Sequence, residues 1–179
     1  MRKDWQTSLK WNVQLFYKIN SKRFKFLDKF YMIYFRMGKS YSLPIYLPFF
    51  LYYGEKKGII HLIISILITG IVLPAIKYTF RHKRPSVLLE KVYILEHVKL
   101  KSFPSADAAY VFTLLGIIIF YAPWYIDALF LINALIIAYG RIYMGAHFPL
   151  DVIVGSLIGF VSGVVGYFIA DYIFNRFIM

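Results

Sequence analysis

The chain has no cysteine, which removes disulfides and thiol chemistry from consideration. Acidic residues are few: nine Asp and Glu stand against 21 Lys and Arg, a formal net charge of +12. Gln and Asn are also scarce, a bias shared with thermophilic proteins. No polar stretch is long enough for a separate soluble domain, and the polar N-terminus lacks the short apolar core of a signal peptide.

What is abundant is apolar sequence. Sixty per cent of the 179 residues are hydrophobic, and the mean hydropathy is +0.61. The apolar residues gather in runs near the roughly 20 residues that cross a bilayer core. The runs are 58–80, 105–122, 124–140 and 149–170, with a weaker one at 41–53 interrupted by Pro44 and Pro48. The expected fold is all-α, an integral membrane helical bundle of about five transmembrane helices. It forms a single domain over 1–179, with a transmembrane core at 41–175 and an amphipathic interfacial region at 1–40. Residues 54–58 (GEKKG) read as a short turn. Gly155, Gly159 and Gly163 recur every four residues and form a small-residue face for helix packing.

Ten of the 21 basic residues lie within 1–40, interleaved with aromatics. That pattern suits anionic lipid head groups, each cation contributing about 1 kcal/mol near the surface. Membrane lipids with anionic head groups are therefore the expected partners, and nucleic acid is not.

Polar residues cluster at span ends. Lys77, Arg81, Lys83, Arg84 and Pro85 close one span, and Pro104, Ser105, Ala106 and Asp107 open the next. Arg141 and His147 precede Asp151, on the first turn of the last span. Alternating crossings bring all three groups to one membrane face. Lys77, Arg84 and Arg141 suit phosphate oxygens, the arginines bidentately. Ser105 reads as a helix N-cap, where free N–H groups attract anions. His147 and Asp151, four apart, can meet, so the carboxylate can fix the imidazole tautomer and free the other nitrogen to attack. Arg81 and Lys83 read as orientation charges.

These residues resemble the three-part signature of the type 2 phosphatidic acid phosphatase superfamily: Lys77, six residues, Arg84-Pro85; then Pro104-Ser105; then Arg141, five residues, His147, three residues, Asp151. The resemblance implies a hydrolase in which His147 becomes a phosphohistidine and Asp151 orients it. Lys77, Arg84 and Arg141 then hold the phosphoryl group, helped by the Ser105 hydroxyl and N–H and by Ala106. No metal or cofactor is implied. The second motif departs from the family pattern of Pro-Ser-Gly-His, reading Pro104-Ser105-Ala106-Asp107, so the expected general acid is a carboxylate. His61, His82 and His97 are not at that position. Either Asp107 is the acid, or the leaving group needs little protonation, or Asp107 only complements a helix N-terminus.

The resemblance points to lipid A 1-phosphate as the leading substrate, with undecaprenyl diphosphate or phosphatidylglycerol phosphate as alternatives. A catalytically silent lipid-phosphate binder is the rival of another class. It also implies a multi-pass protein of the bacterial inner membrane with its site on the periplasmic face. The basic N-terminus and five spans favour the cytoplasmic face instead.

Overall fold

The structure is a computed structural model that describes residues 4–97 and 101–177. Eight helices follow in order: α1 (Trp5–Ser8), α2 (Lys10–Asn20), α3 (Lys25–Tyr34), α4 (Leu43–Phe80), α5 (Pro85–Leu88), α6 (Ala106–Ile118), α7 (Trp124–Tyr143) and α8 (Pro149–Phe177). Two 3-10 turns, Phe35–Gly38 and Ser40–Ser42, join α3 to α4. No strand occurs among the described residues.

Among the described residues, three segments are long and apolar enough to cross a membrane: Ser40–Leu88, Trp124–Tyr143 and Pro149–Phe177. The first contains two limbs. Glu55 has φ 50° and ψ −143°. In a straight helix, residues eight apart are separated by about 12 Å along the axis. A Cβ built on Gly58 would lie 2.8 Å from the Phe50 carbonyl oxygen, so the chain doubles back at Glu55. The GEKKG segment is thus the expected turn, although helical hydrogen bonding runs through its flanks.

The span expected at 105–122 is shorter than the sequence suggests. α6 has 13 residues, about 20 Å against a bilayer core of roughly 30 Å. It lies inside the bundle, with Ala108, Ala109, Val111, Leu114, Ile117 and Ile118 all buried. Neighbouring helices rather than lipid cover it, so its length need not match the bilayer.

The glycine face of α8 explains how close that packing is. A Cβ on Gly155 would meet the Ser105 carbonyl oxygen at 2.3 Å, and one on Gly159 would meet the Ala109 oxygen at 1.9 Å. A Cβ on Gly163 would meet Gly116 Cα at 2.8 Å. Backbone therefore rests on backbone along the α6–α8 seam. The Ser105 N–H donates to the Asp151 carbonyl at 2.9 Å, fixing the second motif against the third.

The N-terminal region is amphipathic, as expected, and also part of the bundle. Phe24, Phe26, Met32 and Ile33 face outward, whereas Phe16, Gln6, Asn12 and Asn20 are buried. The Asn12 carboxamide oxygen accepts the Leu150 N–H at 3.0 Å, and Asn20 donates to the carbonyls of Tyr93 and Tyr143, each at 2.9 Å. α3 has ten residues, about 15 Å, too short to cross.

The opposite end of the bundle holds His61. Its Nε2 lies 2.7 Å from the Gly163 carbonyl and its Nδ1 3.2 Å from Tyr121 Oη in the α6–α7 turn. Lys57 pairs with Asp171 at that same end, at 2.5 Å.

Candidate active site

The end of α4, the start of α6, the end of α7 and the start of α8 meet at one face of the bundle. Short-range sequence chemistry sets each side chain there. Pro85 disfavours a helical conformation at the residue before it, and Arg84 is extended, with φ −77° and ψ 159°. Its guanidinium points inward: Nη1 donates to the Ala146 carbonyl at 2.6 Å and lies 3.3 Å from His147 Nε2.

The spacing between Arg141 and His147 is a tight loop. The Arg141 carbonyl accepts N–H groups from both Ala146 (3.1 Å) and His147 (3.2 Å). Gly145 makes that turn possible. Its φ is +75°, and a Cβ there would lie 2.3 Å from the Tyr93 carbonyl oxygen. Pro149 then opens α8, a favoured first helical position. Asp151, in the first turn, reaches back to accept the Phe148 N–H at 3.0 Å. One carboxylate thus caps the helix and orients the histidine.

Asp151 is completely buried, and its two oxygens are well supplied with donors. Gln6 Nε2 donates to Oδ1 at 2.6 Å. Ser102 Oγ donates to Oδ2, and His147 Nδ1 lies 3.3 Å from the same oxygen. With Nδ1–H facing the carboxylate, Nε2 keeps its lone pair and faces Arg84. Burial pushes the His147 pKa down to about 4; Arg84 and Arg141 push the same way, against Asp151. The ring is neutral at pH 7, as a nitrogen nucleophile must be.

A second cluster lies beside this pair. Arg141, 1% exposed, directs Nη1 to Glu96 and Nε to Asp107 Oδ2 at 3.0 Å. Lys39 Nζ bridges the same two acids, 2.8 Å from Glu96 Oε1 and 3.2 Å from Asp107 Oδ2. Burial alone would raise the Glu96 carboxyl, but Arg141 and Lys39 outweigh it and hold it below the usual range.

The eight residues singled out in the sequence all lie at this face. Ser105 caps α6, its Oγ accepting from the Ala108 N–H at 3.5 Å. Its own N–H is committed to the Asp151 carbonyl, which corrects the expectation that this N–H binds phosphate. Ala106 is half-buried at the helix start. Lys77 is half-buried and donates to the Lys101 carbonyl at 3.1 Å, within electrostatic reach of Arg84, Asp151 and Arg141. His82 stands apart, held by Asp4 at 3.1 Å and by Trp5. Arg81 and Lys83 are exposed.

Sequence reasoning missed Gln6, Lys39, Glu96 and Ser102. Ser102 sits three residues before the N-cap of α6, so its neighbourhood was legible. Lys39 and Glu96 looked like any surface charge, and nothing local marked Gln6.

A buried, carboxylate-oriented imidazole facing the Arg84 guanidinium lies at the end of an apolar helix bundle, a site and a scaffold that suit a membrane phosphatase. The PAP2 superfamily model matches residues 58–174, and the chain belongs to that superfamily. It is 36% identical to Aquifex aeolicus LpxE, whose crystal structure superposes with a TM-score of 0.81 over 87% of this chain and 93% of that one. An undecaprenyl-diphosphatase of Sulfolobus acidocaldarius is 30% identical over 156 residues, 86% of this chain and 76% of that protein. The PAP2-type phosphatidylglycerolphosphate phosphatase of Bacillus subtilis shares the fold, with a TM-score of 0.72 at 18% identity over 96% of this chain and 88% of that one.

Proposed function

We propose that the chain hydrolyses a membrane lipid phosphate through a phosphohistidine on His147, and that its substrate carries a good leaving group. Candidates are the 1-phosphate of lipid A and undecaprenyl diphosphate. The observation that carries this reading is His147 Nε2 lying 3.3 Å from Arg84 while Nδ1 faces Asp151. The nucleophile's lone pair and the phosphate-binding cation face one point.

In the proposed sequence, Lys77, Arg84 and Arg141 receive the phosphoryl oxygens and stabilise charge in the transition state. His147 Nε2 bonds to phosphorus, the P–O bond to the lipid breaks, and its electron pair leaves with the oxygen. Water then cleaves the N–P bond, releasing phosphate and restoring the imidazole. Asp107 takes the motif position of the family's leaving-group acid. In the free enzyme it is paired with Lys39 and Arg141. A phosphate that takes Arg141 replaces that pairing and frees Asp107 to carry a proton.

The inner membrane with the site on its periplasmic face is the location we favour. The basic N-terminal helices pack at the same end as the site, through Gln6, Asn12 and Asn20. We attribute their charges to substrate and head groups rather than to orientation.

The deciding assay is phosphate release by the purified protein in detergent, across lipid A, undecaprenyl diphosphate, phosphatidylglycerol phosphate and phosphatidic acid. His147→Ala is expected to abolish release. Residual release in that variant would remove His147 as nucleophile. No release from any lipid by the parent protein would favour a silent binder.

A further inference from the structure

Glu96 does inside the free protein what a bound anion would do. Its two carboxylate oxygens are divided between cations from distant parts of the chain. Oε1 takes Lys39, in the linker between the two 3-10 turns, and Oε2 takes Arg141, in the last turn of α7. Lys39 belongs to none of the three motifs, yet it reaches the same arginine-centred cluster as Asp107.

The members of this cluster differ in how firmly they are held. Asp107 and Arg141 are on helices packed in the bundle. Glu96 is in the connection between α5 and α6, outside any helix. A cavity of about 250 Å³, lined by Arg84, Glu96, His97 and Ala146, opens beside it. When a phosphate dianion reaches Arg141, a cluster of two cations and two anions becomes net negative. Glu96 is the anion with room to leave.

We propose that Lys39 and Arg141 form a second anion subsite, which takes the lipid-attached phosphate of a lipid diphosphate and is filled by the Glu96 carboxylate in the free enzyme. This inference rests on the phosphatase reading above. The subsite lies on the leaving-group side, because Lys39 contacts Asp107 at the position of the leaving-group acid. His147 attacks from the Arg84 side, and in-line displacement puts the leaving group opposite.

The charge then balances without a histidine acid. The Nε2–P bond forms, the bridging P–O bond breaks, and its electron pair goes to the bridging oxygen. That oxygen becomes a terminal oxygen of the lipid monophosphate, whose added charge Lys39 neutralises. A charge-assisted contact replaces the proton that an alcohol would need.

Two measurements test this. The first compares kcat/KM for a polyprenyl diphosphate and for phosphatidic acid in matched micelles. Lys39→Met is expected to lower the diphosphate value about tenfold more than the phosphatidic acid value, the size of one lost charge-assisted contact. Lys39→Arg, which keeps the charge, should retain most of the preference. The second uses inorganic pyrophosphate and inorganic phosphate as inhibitors. Glu96→Gln is expected to tighten pyrophosphate more than phosphate, because the internal competitor loses its charge. Equal losses on both substrates, or parallel shifts of both inhibitors, would overturn the subsite. So would a parent enzyme that turns over phosphatidic acid but no diphosphate. In each of those outcomes a phosphohistidine on His147, trapped by an alkaline quench, would leave the phosphatase reading standing. Its absence during turnover would remove that reading.

Discussion

Arg84 Nη1 sits 3.3 Å from His147 Nε2 and donates to the carbonyl of the preceding residue, Ala146, at 2.6 Å. A guanidinium this close to an imidazole tells which nitrogen is bare. Nε2 faces the cation as an acceptor, and Nδ1 carries the proton towards Asp151. In the proposed reaction, the Arg84 charge marks the line of attack before substrate arrives. It also helps burial keep the ring unprotonated.

The first prediction concerns pH and rate. With its pKa held at about 4, His147 stays neutral through mildly acidic conditions. Phosphohistidine formation, corrected for the substrate's own ionisation, should show an acid limb near pH 4 rather than near the ordinary histidine value of about 6.5. Rapid-quench rates between pH 4 and 8 read this directly. A limb at 6.5 would contradict the buried, guanidinium-facing ring.

The same group predicts a stability profile. The folded-state pKa is depressed, so below about 6.5 the unfolded chain binds a proton that the folded chain refuses. The parent protein should therefore lose stability as pH falls from about 6.5 to about 4, with no further loss from this group below that. His147→Gln lacks this contribution. The Tm difference between parent and variant in detergent should stay flat above pH 6.5 and move against the parent below it.

Gln6 and Ser102 are positioning residues that act through Asp151. Gln6→Leu or Ser102→Ala leaves a fully buried carboxylate short of one donor. The cost should be about 1–3 kcal/mol of stability. Because the imidazole loses its fixed partner and phosphate binding does not, kcat should fall with KM little changed, and the acid limb should shift. A purely structural role would lower Tm and leave the pH profile in place. Gln6→Glu is the sharper test, as it sets a second carboxylate against Asp151.

Asp107→Asn addresses the departed histidine. If Asp107 passes a proton to the leaving oxygen, the variant should slow phosphatidic acid most and polyprenyl diphosphate least. Steady-state rates on the two lipids decide it. Equal slowing would mean that Asp107 serves only to hold Lys39 and Arg141.

Gly159→Leu should be strongly destabilising. Even its Cβ would fall 1.9 Å from the Ala109 carbonyl oxygen. Overpacking of this kind costs about 1–3 kcal/mol or more. Separating α6 from α8 would also break the Ser105–Asp151 backbone bond, so activity should fall with the melting temperature.

Much of this protein was legible before folding was considered. The apolar runs fixed an all-α membrane bundle, since a lipid-exposed backbone must satisfy its own hydrogen bonds. Motif spacing carried His147, Asp151, Arg84 and Arg141, because each spacing is made by a local device: an X-Pro step, a six-residue loop, a first helical turn. The glycine repeat announced a packing face. Only the tertiary structure decided the rest. α6 could be too short for the bilayer because other helices cover it, a fact of neighbours rather than of its own residues. Gln6, Lys39 and Glu96 act at long range along the chain, with no periodicity or spacing to mark them. The surroundings of Asp107 were likewise decided there: next to Lys39 and Arg141 it belongs to a charge cluster that exists only when the N-terminal linker, α6, α7 and the loop before α6 meet.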